Sequence, residues 1–308
     1  MAAPLDSRES SGDHGSPTVI PFAKGHGLGN DYLVIREADL PGPLAEAAIV
    51  KICDRNWGVG SDGILLLTPS ARADFGLRIF NPDGSEAEKS GNGLRIFAKY
   101  LWDHGHTTRP SFTVETPGGL VECECHVREG RVNFVTVEMG RATFRAADIP
   151  MEVAAPEAVA VPLRLPEGQL LTVTAVSVGN PHCIAFRDRL DEGEVRRLGP
   201  IIERHSAFPQ RTNVQFARVH GRDDLEIMIW ERGAGWTLAS GSSSCGAASA
   251  AVKNGLCDHG RVRVRMPGGE LIVHVRADWS LRLEGPVEEV CTGTLSAEFE
   301  TAYVRRAG

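Results

Sequence analysis

Two segments of the chain carry the same punctuation. "EKSGNGLRIFAKYL" sets Ser90 and Gly91 at the start of a helix-period run, and "LASGSSSCGAASAAV" sets Ser240 and Gly241 at the start of another. After each, "PGG" separates two strand-like runs, at residues 117–119 and again at 267–269. Ser90 to Ser240 and Pro117 to Pro267 are both separations of 150 residues. Matched order and matched spacing indicate an internal duplication. Such a chain folds as two related halves, and a cleft between them, lined by both helix N-termini, is the natural place for a site.

The rest of the chain fits two such halves. "VIPFAKGHG" and "DYLVIRE" form a hairpin, and "DGILLLTPS" and "ADFGLRIFN" read as further strands. The first helix is "NGLRIFAKYLWDHG", with Leu94, Phe97, Ala98 and Leu101 at helical spacing and Gly105 at its end. Three strands joined by glycine-bearing turns follow. The second half repeats the order: strands in "QLLTVTAVSVGNPHCIAF", a helix in "DEGEVRRLGPIIERH", a hairpin in "TNVQFARVHGRDDLEIMIWERG", and a helix ending at Gly255. In "VECECHV", Val121, Cys123, Cys125 and Val127 alternate with glutamates, which favours one face of a strand over a metal site. Residues 1–16 are polar and aperiodic and are expected to form a flexible tail.

Composition narrows the function classes. A formal net charge of -7 with no basic block argues against a nucleic-acid binder. No run approaches the roughly 18 apolar residues of a membrane helix. An odd count of seven scattered cysteines, without a signal peptide, points to free thiols in a reducing cytoplasm.

At a helix N-terminus the first backbone N–H groups lack internal partners, and the dipole adds partial positive charge. Ser90-Gly91-Asn92 and Ser240-Gly241-Ser242 each offer donors to an anion, with glycines permitting close approach. Either serine alone reads as a plain helix cap; the pairing points to a carboxylate. Asn30, Asn81, Asn180, His182, Asn213, Glu231 and Arg232 sit at strand ends or loops. Singly each is a turn former, a surface charge or a structural histidine. Together they suit a zwitterionic ligand, with amides and arginine for carboxylate and glutamate for ammonium. "GVGSDG" (Gly58, Gly60, Gly63) is followed by a strand pattern where a dinucleotide site needs a helix, and no nucleophile elbow overlays "SGSSSCG".

From Phe22 onward the chain resembles the diaminopimelate epimerases. The resemblance rests on "KGHGLGNDYLVI", "RNWGVGSDGILL", "NPDGSEAEKSGNG", "VSVGNPHCIAF", "RTNVQFA" and "ERGAGWTLASGSSSCGAA", in that order. It implies an α/β (α+β) fold of two pseudo-symmetric domains, each a barrel-like sheet around a central helix, with the active site in the cleft between them. The expected domains are 17–145 plus 286–308, and 146–285, with "TLSAEFETAYV" returning as a last strand to the first domain. The resemblance further implies a homodimer in the cytoplasm, with no cofactor (neither pyridoxal phosphate nor metal) and a small diaminopimelate-like substrate. Substrate contacts transfer onto Asn30, Asn81, Asn180, Asn213 and Arg232. The backbone at Gly91-Asn92 and Gly241-Ser242 would hold the α-carboxylate, while His182 and Glu231 tune the catalytic pair.

That pair is two cysteines in the family, one removing the α-proton and the other reprotonating the opposite face. Here both positions are serine, Ser90 and Ser240, and Cys245 matches a non-catalytic cysteine. Gly63 stands where some members carry a substrate-contacting glutamine and others glycine, Trp236 replaces the usual glutamate, and Ser242 replaces the usual threonine. A thiol starts near a pKa of about 8.5, an alcohol closer to water at about 15.7. A gap of at least about 5 units is about 7 kcal/mol, or on the order of 10⁵ in rate. No lysine in these motifs is an evident replacement base, since Lys89 need not face the cleft. Three accounts remain: a Cys-to-Ser form of an active epimerase, a diverged member with lost or altered activity, and a binding protein on the same fold.

Overall fold

A computed structural model describes residues 19–305; the expected tail at 1–16 lies outside the described residues. The first half contains β1 (Pro21–Gly27), β2 (Asn30–Arg36), α1 (Glu46–Cys53), β3 (Ile64–Thr68), β4 (Phe75–Phe80), β5 (Glu86–Ala87), α2 (Gly91–Asp103), β6 (Ser111–Thr116), β7 (Gly119–Arg128) and β8 (Arg131–Arg141). The second adds β9 (Val161–Arg164) and then repeats the series. It runs β10 (Leu170–Ser177), β11 (Pro181–Phe186), α3 (Glu192–Glu203), β12 (Asn213–Gly221), β13 (Asp224–Glu231), β14 (Gly235–Thr237), α4 (Gly241–Lys253), β15 (Gly260–Met266), β16 (Gly269–Val275) and β17 (Ser280–Pro286). Strand β18 (Glu288–Thr294) follows.

The pairing repeats as well. β2–β3 and β4–β6 are parallel in the first half, as β11–β12 and β13–β15 are in the second. The halves are joined where β8 and β17 pair antiparallel, from Phe134 opposite Pro286 to Arg141 opposite Ser280. Beyond that pairing each strand crosses over. Thr143, past the end of β8, bridges Ser177 of β10, and β17 leads into β18, which pairs with β1. The returning strand is β18, and "TLSAEFETAYV" also packs on the first half, with Leu295 and Val304 beside Ile20, Leu33 and Ile49; what is corrected is its form, since residues 297–304 are helical, opening on a Ser296 cap.

Each sheet curls round one helix and carries another outside. In β2, Tyr32 and Val34 face inward with α2, while Leu33 and Ile35 pack with Ile49 and Ile52 of α1. Cover on both faces explains the unbroken apolar run of β3, whose Leu65 faces α2 and whose Ile64 and Leu66 face α1. Sequence reasoning missed α1, which has only eight residues and no side-chain cap. The alternation in β7 holds through Val121, Cys123 and Cys125, all buried, and breaks at a bulge that leaves Val127 exposed.

The inner helices begin as expected. Ser90 Oγ accepts from Gly93 N at 3.0 Å and Ser240 Oγ from Ser243 N at 3.4 Å. Gly105 and Gly255, just past the helix ends, have φ of +73° and +68°. Helix α4 is built almost wholly of Gly, Ser, Ala and Cys and is buried nearly all round. Its small side chains let backbone approach backbone: a Cβ on Gly241 would lie 2.8 Å from Leu283 Cδ2 and 3.9 Å from Gly91 Cα. The tips of α2 and α4 thus meet over Leu283 of β17.

Gly63 precedes β3 with φ +154°, and a Cβ there would lie 2.3 Å from Phe80 O and 2.7 Å from Tyr32 Cε1. Gly63→Ala is expected to cost about 2–4 kcal/mol of unfolding free energy, measured by urea denaturation. An unchanged midpoint would contradict this seating of Tyr32.

Candidate active site

A cleft of about 980 Å³ opens where the two helix tips meet. Its lining includes Asn30, Ser90, Gly91 and Asn92 from the first half and Asn180, Glu231, Arg232, Ser240, Gly241 and Ser242 from the second. Ten of the thirteen site positions argued from sequence line the cleft; His182, Asn213 and Asn81 do not. Asn81 closes a turn through Ser85, its Nδ2 donating to Ser85 Oγ at 3.0 Å. Asn213 is buried beneath the lining: its Nδ2 donates to Pro181 O at 2.9 Å, and its Oδ1 accepts from Arg232 N at 3.0 Å. It anchors the turn that carries Arg232 into the cleft wall.

His182 is fully buried, one layer behind Asn180. Gln215 Nε2 donates to Ser243 Oγ at 2.9 Å and to His182 Nδ1 at 3.1 Å. The ring therefore keeps its proton on Nε2, which donates to Asn180 Oδ1 at 2.9 Å. Burial drives the imidazole pKa down to about 3, so the ring is neutral and works as a fixed donor. A Cβ on Gly246 would come within 3.1 Å of this ring, which explains a glycine inside α4.

The two serines have different companions. Ser240 is buried, 6% exposed, and its hydroxyl lies beside the Glu231 carboxylate. Burial raises the Glu231 pKa, and the Ser240 hydroxyl partly opposes the rise. Ser90 Oγ lies 3.4 Å from the hydroxyl of Tyr32, whose pKa burial also raises. Tyr32 was not singled out from sequence; its place inside an apolar strand reads as core, yet it also lines the cleft. Asp62 was missed too. It accepts from Asn30 Nδ2 at 2.9 Å and from Arg55 at 2.7 Å, fixing the Asn30 amide.

Lys89 does line the cleft, contrary to the expectation that it need not face it. Its Nζ donates to Glu138 O at 2.8 Å, and burial lowers its pKa. Cys245 is wholly buried, outside the lining, with its thiol pushed up to about 12 by burial. It stays protonated and offers no acid–base substitute for the serines. Trp236 lines the cleft and lies under Arg196, 4.9 Å from ring centroid to guanidinium carbon. Among the described residues no cluster of three or more His, Cys, Asp or Glu is placed to hold a metal, and no helix is long and apolar enough to cross a membrane.

The sequence profile of the family described as diaminopimelate epimerase matches residues 22–145 and 174–290. The chain belongs to the diaminopimelate epimerase family. "Diaminopimelate epimerase 2" of Nostoc sp. (strain PCC 7120) is 49% identical over 280 residues, covering 91% of this chain and 96% of that one. The diaminopimelate epimerase of Pelotomaculum thermopropionicum is 43% identical, covering 88% of this chain and 97% of its own. Among solved structures, a probable proline racemase from Agrobacterium radiobacter K84 superposes with a TM-score of 0.64 at 15% identity, covering 90% and 93% of the two chains. A phenazine biosynthesis protein of the PhzF family from Bacillus anthracis superposes at 0.62, also at 15% identity, covering 90% and 99%. At that identity these structures establish the fold alone, the two-domain pseudo-symmetric form shared by epimerases of this kind.

Each helix tip carries a serine hydroxyl, and in the second half a buried histidine stands behind Asn180. An imidazole held near 3 against an ordinary 6.5 contributes stability that is complete above 6.5 and is lost as pH falls toward 3. The His182 ring resonances are expected not to titrate between pH 8 and 5 by NMR. The unfolding free energy should fall by up to about 1.4 kcal/mol per pH unit below 6.5, a contribution that His182→Gln removes.

Proposed function

We propose that this cleft binds diaminopimelate, with the α-carboxylate held between the N-termini of α2 and α4. The observation that carries the proposal is the convergence of both helix tips, with Ser90 and Ser240, on one cleft in a chain of this family. A carboxylate there meets the unpaired N–H groups of Gly91-Asn92 and Gly241-Ser242. Asn30, Asn180 and Arg232 supply further polar contacts, and Glu231 suits an ammonium group. Asn81 and Asn213 act at one remove, by shaping turns, and His182 by orienting Asn180.

The proposed reaction is α-proton transfer between opposite faces of the α-carbon, interconverting the LL and meso forms without a cofactor. Ser90 and Ser240 occupy the positions from which the two faces are reached. Neither alcohol is an effective base at neutral pH, and the companions are weak replacements: Glu231 is a carboxylate and Tyr32 a phenol with a raised pKa. The chain therefore binds substrate and transfers the proton slowly. We place the reaction in a cytoplasmic homodimer, with residues 17–145 plus 286–308 and residues 146–285 as the two domains. The seven buried or exposed free cysteines fit a reducing compartment.

Exchange of the α-proton of diaminopimelate in D₂O, followed by NMR, tests this. Ser90→Cys/Ser240→Cys is expected to exchange faster than the unaltered chain by on the order of 10⁵. No exchange in the double-cysteine form would sink the epimerase reading. Tight binding without exchange in either form would instead favour a binding protein on the same fold.

A further inference from the structure

Arg95 lies on α2, five residues beyond the Ser90 cap, and is fully buried. Among the described residues no carboxylate lies within ion-pair distance of it. Its Nη2 donates to Asn92 Oδ1 at 2.9 Å and its Nη1 to Gly91 O at 3.3 Å, while Nε has no acceptor. Two glycines make its berth: a Cβ on Gly27 would lie 2.8 Å from Nη2, and one on Gly285 would lie 3.1 Å from Nε. Burial lowers the guanidinium pKa to about 10, which leaves it charged at neutral pH.

A buried cation without a counter-charge is costly. Near a helix N-terminus it is also the wrong sign for the dipole. Two sources of positive potential therefore coincide under the α2 tip, and an anion bound in the cleft would offset both. The guanidinium also reaches the cleft through bonds: Asn92 Nδ2 donates to Asn30 Oδ1 at 3.0 Å, and Asn92 and Asn30 both line it. In the second half, Cys245 stands 150 residues on from Arg95 and Ser242 from Asn92. The cation is present on one side only.

We infer that Arg95 is the buried counter-charge for the ligand's carboxylate and the positioning residue for Asn92 and Asn30. This biases the anion toward the α2 tip, and it rests on the carboxylate-binding role proposed above for the same cleft.

Calorimetric titration with meso-diaminopimelate and with its bis-carboxamide tests the inference on the full chain, with thermal melts as a fold control. Arg95→Gln should weaken diaminopimelate binding by at least about tenfold and should not weaken binding of the bis-carboxamide, which keeps both ammonium groups but carries no carboxylate. Arg95→Lys, which keeps the charge, should recover most of the loss. A merely structural role would weaken both ligands alike and make the two variants equivalent, which overturns the inference. Should Arg95→Gln fail to unfold cooperatively, Arg95→Lys is compared with Asn92→Ala: diaminopimelate binding retained better in the lysine variant supports the charge, and equal loss overturns it. Failure of the unaltered chain to bind diaminopimelate would bring down the functional reading and this inference together. Binding that Arg95→Gln leaves intact brings down the inference alone.

Discussion

The close approach of two helix tips is the constraint on which the rest of the molecule depends. Gly91 and Gly241 let α2 and α4 meet over Leu283, and any side chain at Gly241 would collide with that leucine. Because Leu283 sits on β17, and β17 pairs with β8, the strand joint between the halves also sets the separation of the helices. The exchange of β18 onto β1 and of Thr143 onto β10 then locks each half to the other. Backbone hydrogen bonds of this kind do not slide by fractions of a residue. The cleft therefore has a geometry set by sheet register, and mobile loops need not assemble it.

A symmetric frame here carries an asymmetric site. Positions related by 150 residues include Asn30 and Asn180, which both line the cleft, but also Tyr32 and His182, Lys89 and Ala239, Asn81 and Glu231, and Arg95 and Cys245. In the first half the serine meets a phenol, with the half-buried Lys89 in the lining beside it and the buried Arg95 behind. In the second it meets a carboxylate, and a neutral imidazole stands behind the neighbouring amide. Duplication supplied two like helix N-termini; substitution of the residues around them separated their electrostatics. The two sides of the cleft therefore differ in charge and in hydrogen-bonding groups.

Much of this was legible in the chain. The duplication, the serine caps, the glycine stops and the strand order follow from local rules of spacing, capping and turn chemistry, and those rules operate over a few residues. Family motifs supplied the cleft residues. What failed were features whose signal is not local. Helix α1 is too short and too evenly apolar to show a face, because it is packed against the outside of an already covered sheet. Residues 297–304 are helical although the family pattern suggested a strand, since β18 had already made the return to β1. Val127 turned outward because a bulge broke the alternation.

Sequence by itself determined that two equivalent halves would present two helix N-termini, each opened by a serine. Those facts are written in residue identity and in a spacing of 150, and need no coordinates. Only the tertiary structure decided which polar groups share the cleft. It drew Tyr32 and Asp62 in, turned Lys89 toward it, set His182 and Asn213 behind the lining, and left Asn81 in its own turn. It also left Arg95 without a counter-charge. Burial and partner choice depend on which distant strands pair, so an arginine in a helical run looks like any surface cation until the sheet closes round it.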